Sequence, residues 1–167
     1  MGANPTKAAD NIYYCCRKEA ANWNGRLSSR EGAAELLGLS VSTLSDYELG
    51  VTKMVPVANV IKMADLYNAP ELLNDYCVNQ CPIGCRNTPK LDVADLDRLT
   101  VKVLAALNKG ATIKDVLLQI TEDGIIEECE KEDLFRVIAY LEGLAKTGAE
   151  LRLWAEKNNI GGDNNAS

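Results

Sequence analysis

The sequence predicts an all-α protein: a compact helical N-terminal domain, then a C-terminal helical bundle that ends in a long helix. Three observations carry this. The composition is poor in strand formers, with 1 Phe among 167 residues and few β-branched runs, and it is rich in Ala, Leu, Glu and Lys. The segment Ser28 to Gly50, SSREGAAELLGLSVSTLSDYELG, reads as two short helices joined by a tight turn. Beyond residue 91 the apolar residues recur at steps of three and four.

In the Ser28–Gly50 segment, Ser28 and Ser29 are placed to cap a helix, since a serine oxygen accepts from the free amides of a first turn. Gly38 ends that helix in the left-handed conformation that only glycine adopts cheaply. Leu39 is the apolar residue after the turn, Ser40 caps again, and a second helix runs from Val41 to Leu49 with Gly50 as its stop. Ala34, Leu37, Leu39, Leu44 and Tyr47 fall where two crossed helices face each other, with Ala34 small enough for close crossing. Pro56 then opens a fourth helix with Val60, Ile61, Met63, Ala64, Leu66 and Tyr67 on its apolar face. Ala69-Pro70 stops it, and a short fifth helix is expected over Glu71 to Tyr76.

Composition shifts at Cys77-Val-Asn-Gln-Cys81-Pro-Ile-Gly-Cys85, which predicts a linker over 78–90. Spaced cysteines in a cytoplasmic chain point to metal or redox chemistry rather than disulfides. Cys77, Cys81 and Cys85 offer three thiolates for a zinc or iron-sulfur site; Cys15, Cys16, Cys129 or a second chain would supply the fourth ligand. The alternative is packing as small buried hydrophobes. No cofactor is otherwise expected.

Residues 91–158 read as three helices. Asp92 caps the first, whose stripe is Val93, Leu96, Leu99, Val103 and Leu107, with Asn108-Lys109-Gly110 ending it. Thr112 caps the second, over Ile113, Val116, Leu117 and Ile120, and a turn at Glu122-Asp123-Gly124 follows. The third and longest, about 127–158, carries Leu134, Val137, Ile138, Leu141, Leu144, Ala145, Leu151 and Trp154, a spacing suited to a bundle or coiled-coil seam. Asp123-Gly124 followed by Glu130 echoes a calcium loop, but Gln119 and Thr121 stand where carboxylates are needed. Residues 159–167 are expected to be a disordered tail.

The Ser28–Gly50 segment resembles the lambda-repressor-like (Cro-type, XRE) family of helix-turn-helix regulators, through Ala34, Leu36, Leu37, Gly38, Leu39, Ser40, Ser42, Thr43, Leu44, Glu48 and Gly50. The resemblance extends over about residues 8–77 and implies a bundle of five helices within an N-terminal domain, 1–77, that binds double-stranded DNA. It implies base reading by Val41, Ser42, Ser45 and Asp46 and phosphate contacts from Ser40 and Thr43. Valine packs on a thymine methyl, serine bonds several bases and aspartate accepts from cytosine N4. Two departures stand out: Trp23 to Leu27 lengthens the connection after the first helix, and Arg30 stands where the family has Gln. Arg30 can still reach a phosphate as a charged fork. By the family pattern, Arg17 pairs with Glu48.

The charge balance qualifies this expectation. Net charge is -6 with no histidine, and neither half is basic: 7 Lys and Arg face 9 Asp and Glu through Tyr76, and 11 face 15 after it. Phosphate neutralisation must come from local cations, Arg26, Arg30, Lys53 and Lys7 or Lys62. No apolar run reaches the roughly 18 residues that span a bilayer. The polar N-terminus is no signal peptide, although Gly2 and Thr6 formally fit an acylation pattern. A cytoplasmic protein with no membrane association is expected, and no enzyme signature is present. The expected function is a sequence-specific transcriptional regulator, a repressor of bacterial, phage or mobile-element origin, dimeric through its C-terminal helices. The alternative is an interaction protein of phage type, inhibiting a host nuclease or binding another regulator through its acidic helical domain.

Overall fold

The computed structural model describes residues 8–121 and 125–160. Lys7, Gly2 and Thr6, the Glu122-Asp123-Gly124 turn of the calcium-like loop, and tail residues 161–167 lie outside them. Every regular element among the described residues is helical, without a strand, and the chain divides between Lys90 and Leu91 into two units.

The first unit is built from α1 (Ile12–Ala20), a 3₁₀ turn (Gly25–Ser28), α2 (Arg30–Leu37), α3 (Val41–Glu48), α4 (Val57–Tyr67), α5 (Glu71–Asn79) and the single turn α6 (Gly84–Asn87). Each helix starts where its sequence supplies a cap or a proline. Asn11 accepts from the amides of Tyr13 and Tyr14, Ser29 from Gly32, Ser40 from Thr43, and Pro56 and Pro70 precede α4 and α5. Buried side chains follow the helical repeat. Tyr13, Cys16, Arg17 and Ala20 line α1, and Val60, Met63, Ala64 and Tyr67 line α4, each at steps of three, one and three. They enclose Leu27, Ala34, Leu37, Leu44 and Leu72 in one core. Gly32 is required by proximity: a Cβ there would stand 2.1 Å from the Arg26 carbonyl oxygen, so the 3₁₀ turn lies directly on α2.

Residues 78–90, read above as a linker, carry the end of α5 and all of α6 and belong to this first unit. The Pro82 and Gly84 that suggested a loop serve a tight return instead, in which the amide of Gly84 donates to the Cys81 sulfur.

Burial also sets a pH response. It pushes the Tyr13 hydroxyl up to about 12, and it pushes Tyr67 up as well. A folded-state value raised above the unfolded one near 10 means the folded state holds the proton longer, so this stability is complete below pH 10 and fades as pH rises towards 12. A urea midpoint that falls from pH 10 to 12 is expected, to the extent of about 2 kcal/mol from Tyr13 alone. A midpoint flat across that window would refute it.

The second unit is a hairpin of α7 (Leu96–Ile120) and α8 (Lys131–Lys157), the latter led in by a 3₁₀ turn, Glu128–Glu130, with a Glu127/Glu130 capping box. The two helices run antiparallel: Lys102 meets Glu150, and the Tyr140 hydroxyl donates to the Ala106 carbonyl at 2.8 Å. Two helices stand where three were expected. Asn108-Lys109-Gly110 does not end the first and Thr112 does not cap a second; both lie inside α7. A mid-helix glycine costs only about 1 kcal/mol, and here it makes room, because a Cβ at Gly110 would stand 3.1 Å from the Tyr140 hydroxyl. Asp95 rather than Asp92 is the N-cap residue of α7. Asp92 instead lies 3.6 Å from Lys102 and 3.7 Å from Lys146, and its amide donates to the buried Glu150 carboxylate. No helix among the described residues is long and apolar enough to cross a membrane.

Candidate nucleic-acid interface

Local chemistry sets the angle between α2 and α3. Gly38 takes φ +67°, which lets its amide and that of Leu39 turn back onto the Glu35 and Ala34 carbonyls. Ser40 then opens α3. Its hydroxyl accepts from the Thr43 amide at 3.1 Å and lies 3.0 Å from the Ser42 hydroxyl and 2.8 Å from that of Thr43. Three hydroxyls are thereby gathered at the positive end of a helix, where an anion is favoured.

α3 has two distinct faces. Leu44, Tyr47 and Glu48 are buried against the bundle. Val41, Ser42 and Asp46 are exposed, and Thr43 and Ser45 are half-buried at the margin. The residues expected to read bases therefore share one outward surface with the Ser40 cap. The C-terminal end of α3 is fixed from α1, where the Asn11 amide group donates to the Tyr47 carbonyl at 3.0 Å, and from α4, where Asn59 donates to the Tyr47 hydroxyl at 3.0 Å.

Glu48 is the centre of the site's electrostatics. Its carboxylate is fully buried and accepts from the Arg17 Nε, from a second Arg17 nitrogen at 3.0 Å, and from the Arg30 Nε at 2.7 Å. Arg17 also donates to the Leu27 and Ser28 carbonyls at 2.8 and 3.3 Å. One carboxylate thus joins α1, the 3₁₀ turn, α2 and α3. Burial opposes the Arg17 charge, but the bond and charge of Glu48 outweigh it and push the guanidinium up.

Arg30 keeps about a third of its side chain exposed while its Nε is held by Glu48. It borders a groove of about 400 Å³ with Tyr14, Lys18, Ser28 and Leu49, beside the end of α3. Lys18 donates to the Ser28 carbonyl at 2.9 Å, so a second cation lines that groove. Lys53 is exposed in the bend after Gly50. Arg26 is engaged by Glu35 at 2.8 Å on the surface.

Three contributors escaped the sequence reading: Lys18, the sharing of Glu48 by two arginines, and Gln80. The Gln80 side chain accepts from the Val55 amide and donates to the Tyr13 hydroxyl, both at 2.8 Å, and so pins the loop that carries Lys53. Only the helical spacing of Lys18 from Tyr14 offered a signal for the first of these. Nothing local points from residue 80 to residues 13 and 55.

The cysteine set does not assemble. Cys77 lies on α5, the Cys81 sulfur accepts from Gly84 within the turn, and the Cys85 thiol donates to the Pro82 carbonyl at 3.4 Å. The last two are turned to their own local backbone. Among the described residues no group of three or more His, Cys, Asp or Glu side chains is placed to hold a metal ion.

Residues 27–73, from the 3₁₀ turn into α5, match the family model described as Helix-turn-helix, and this match supports a DNA-binding transcriptional regulator in general terms. No curated protein and no solved structure matched the chain.

Proposed function

We propose that this chain, which carries a lambda-repressor-like helix-turn-helix domain over residues 27–73, is a sequence-specific repressor that binds operator DNA as a homodimer through its C-terminal helices. The observation that supports it most is the division of α3. Its inner face is held by Leu44, Tyr47 and the Glu48 network, while Val41, Ser42, Ser45 and Asp46 are left to the groove.

In this reading α3 enters the major groove by its N-terminal half. Val41 meets a thymine methyl, Ser42 and Ser45 bond base edges, and Asp46 accepts from a cytosine amine. Ser40 and Thr43 bond a backbone phosphate with help from the helix dipole, and Arg30 and Lys53 supply charge on either side. Two copies place two such helices about 34 Å apart on a near-palindromic site. The net charge of -6 makes dimerisation matter: each protomer has few phosphate contacts, so affinity must come from pairing two half-sites.

Binding to the DNA upstream of the protein's own reading frame, measured at 50 and 200 mM salt, tests this. Tight, sequence-selective binding that weakens with salt is expected, and Ser42→Ala with Ser45→Ala should reduce discrimination against unrelated DNA by tenfold or more. Selectivity unchanged in the double variant would overturn the base-reading assignment. The acidic balance of both halves favours one other reading, a protein-binding module, which absence of DNA binding by the folded chain at both salt concentrations would support.

A further inference from the structure

Each helix of the hairpin carries two apolar stripes, and only one of them is used within the hairpin. On α7, Leu99, Ala106 and Gly110 face α8; on α8, Val137, Tyr140 and Leu144 face α7. The second stripe of α7 is Leu96, Leu104, Leu107, Ala111 and Leu118, and that of α8 is Leu134, Ile138, Leu141, Ala145 and Gly148. At 3.6 residues per turn, each outer stripe lies about 90° round from the inner one, in the same rotational sense on both helices. In an antiparallel pair the same sense brings both outer stripes to one side. The hairpin therefore has one continuous apolar face, on which Leu96, Leu104, Leu107, Leu118, Ile138 and Leu141 are 40–59 % exposed. The opposite side differs in kind, a shallow groove lined by Lys102, Ala105, Lys109, Ala139 and Gly143.

We propose that this face is covered by the same face of a second copy, so that two hairpins form a four-helix bundle. This deepens the dimer reading above and rests on it. Two features select a second copy. Within the hairpin, the large apolar side chains buried among the described residues are Leu99, Ile120, Val137 and Leu153, too few to hold helices of 25 and 27 residues by themselves. The exposed leucines and isoleucine leave roughly 600 Å² of apolar surface per copy, so a symmetric pair buries on the order of 1,200 Å², within the range of specific interfaces. Charge does not oppose the pairing: α7 has 4 Lys and Arg against 2 Asp and Glu, and α8 has 5 against 5, so a two-fold operation that lays α7 on the partner's α8 sets no like net charges together. Ala111, Ala145 and Gly148 let the helices approach closely at that crossing.

The test is the solution mass of the full chain. The wild type is expected at twice the 18.2 kDa of one chain. Leu107→Glu and Leu141→Lys, each alone, should shift it to a single chain with helix content retained by circular dichroism. The two variants mixed should return to the double mass, because residues 107 and 141 lie near the midpoints of α7 and α8. Ala139→Glu, on the opposite side, should remain a dimer. A wild type of single-chain mass would overturn both this proposal and the dimer reading. Dimers that persist in Leu107→Glu and Leu141→Lys would overturn the face while leaving the dimer standing. Should either variant lose its helices, hydrogen exchange of the wild type decides: amides of 104–111 and 138–145 should become more protected as concentration rises, and protection independent of concentration would refute the bundle.

Discussion

Replacing Glu48 with alanine is expected to lower the unfolding free energy of the first unit by about 3–5 kcal/mol, the cost of leaving one buried charge without its partner. Arg17 is 2 % exposed and would keep the Leu27 and Ser28 carbonyls and the Tyr14 ring, 5.4 Å away, but no anion. The paired substitution Arg17→Met with Glu48→Leu should recover most of the loss, since no charge then remains inside and Arg30 can turn to water. Urea unfolding followed by circular dichroism reads both values. A single-variant loss below about 1 kcal/mol, the size of an exposed ion pair, would show that Glu48 is not the centre described above.

Gly32→Ala is the second large effect, and its sign is the informative part. In an open helix this change stabilises by up to about 1 kcal/mol. At position 32 a methyl group would stand 2.1 Å from the Arg26 carbonyl oxygen, against backbone that cannot rotate away. A loss of about 1–3 kcal/mol or more is expected, as for other overpacked sites. Gly143→Ala, where nothing lies within 4 Å of the added carbon, should be neutral or stabilising in the same assay. Equal responses at the two positions would contradict the close approach of the 3₁₀ turn to α2.

What was legible in the sequence was whatever a few adjacent residues decide. Ser29, Gly38, Ser40 and Gly50 act within one or two turns of themselves, and the caps and left-handed glycines stand where their residue types required. The all-helical class followed from the same local signals. Longer-range facts were not readable in this way. Gly110 carries a stop signal that packing against Tyr140 overrides, so two expected helices became one. Gln80 sits in a segment whose composition suggests a linker, and its role depends on residues 67 positions and 25 positions away. The three cysteines share a spacing, but Cys81 and Cys85 are engaged within their own turn, which the spacing does not reveal. The Arg17–Glu48 pair follows only from family resemblance; the third member, Arg30, is brought to Glu48 by the crossing of α2 and α3, which no local pattern encodes.

The two-faced character of α3 has a consequence for how such a protein changes over time. Side chains that hold the fold, Leu44, Tyr47 and Glu48, and the outward-facing Val41, Ser42, Ser45 and Asp46 interleave along one helix yet share no side-chain hydrogen bond between the two sets among the described residues. The outer four are therefore free to vary with little effect on stability, while the inner three are not. Under the function proposed above, a lineage carrying this scaffold acquires a new operator by exchanging four letters while the fold is kept.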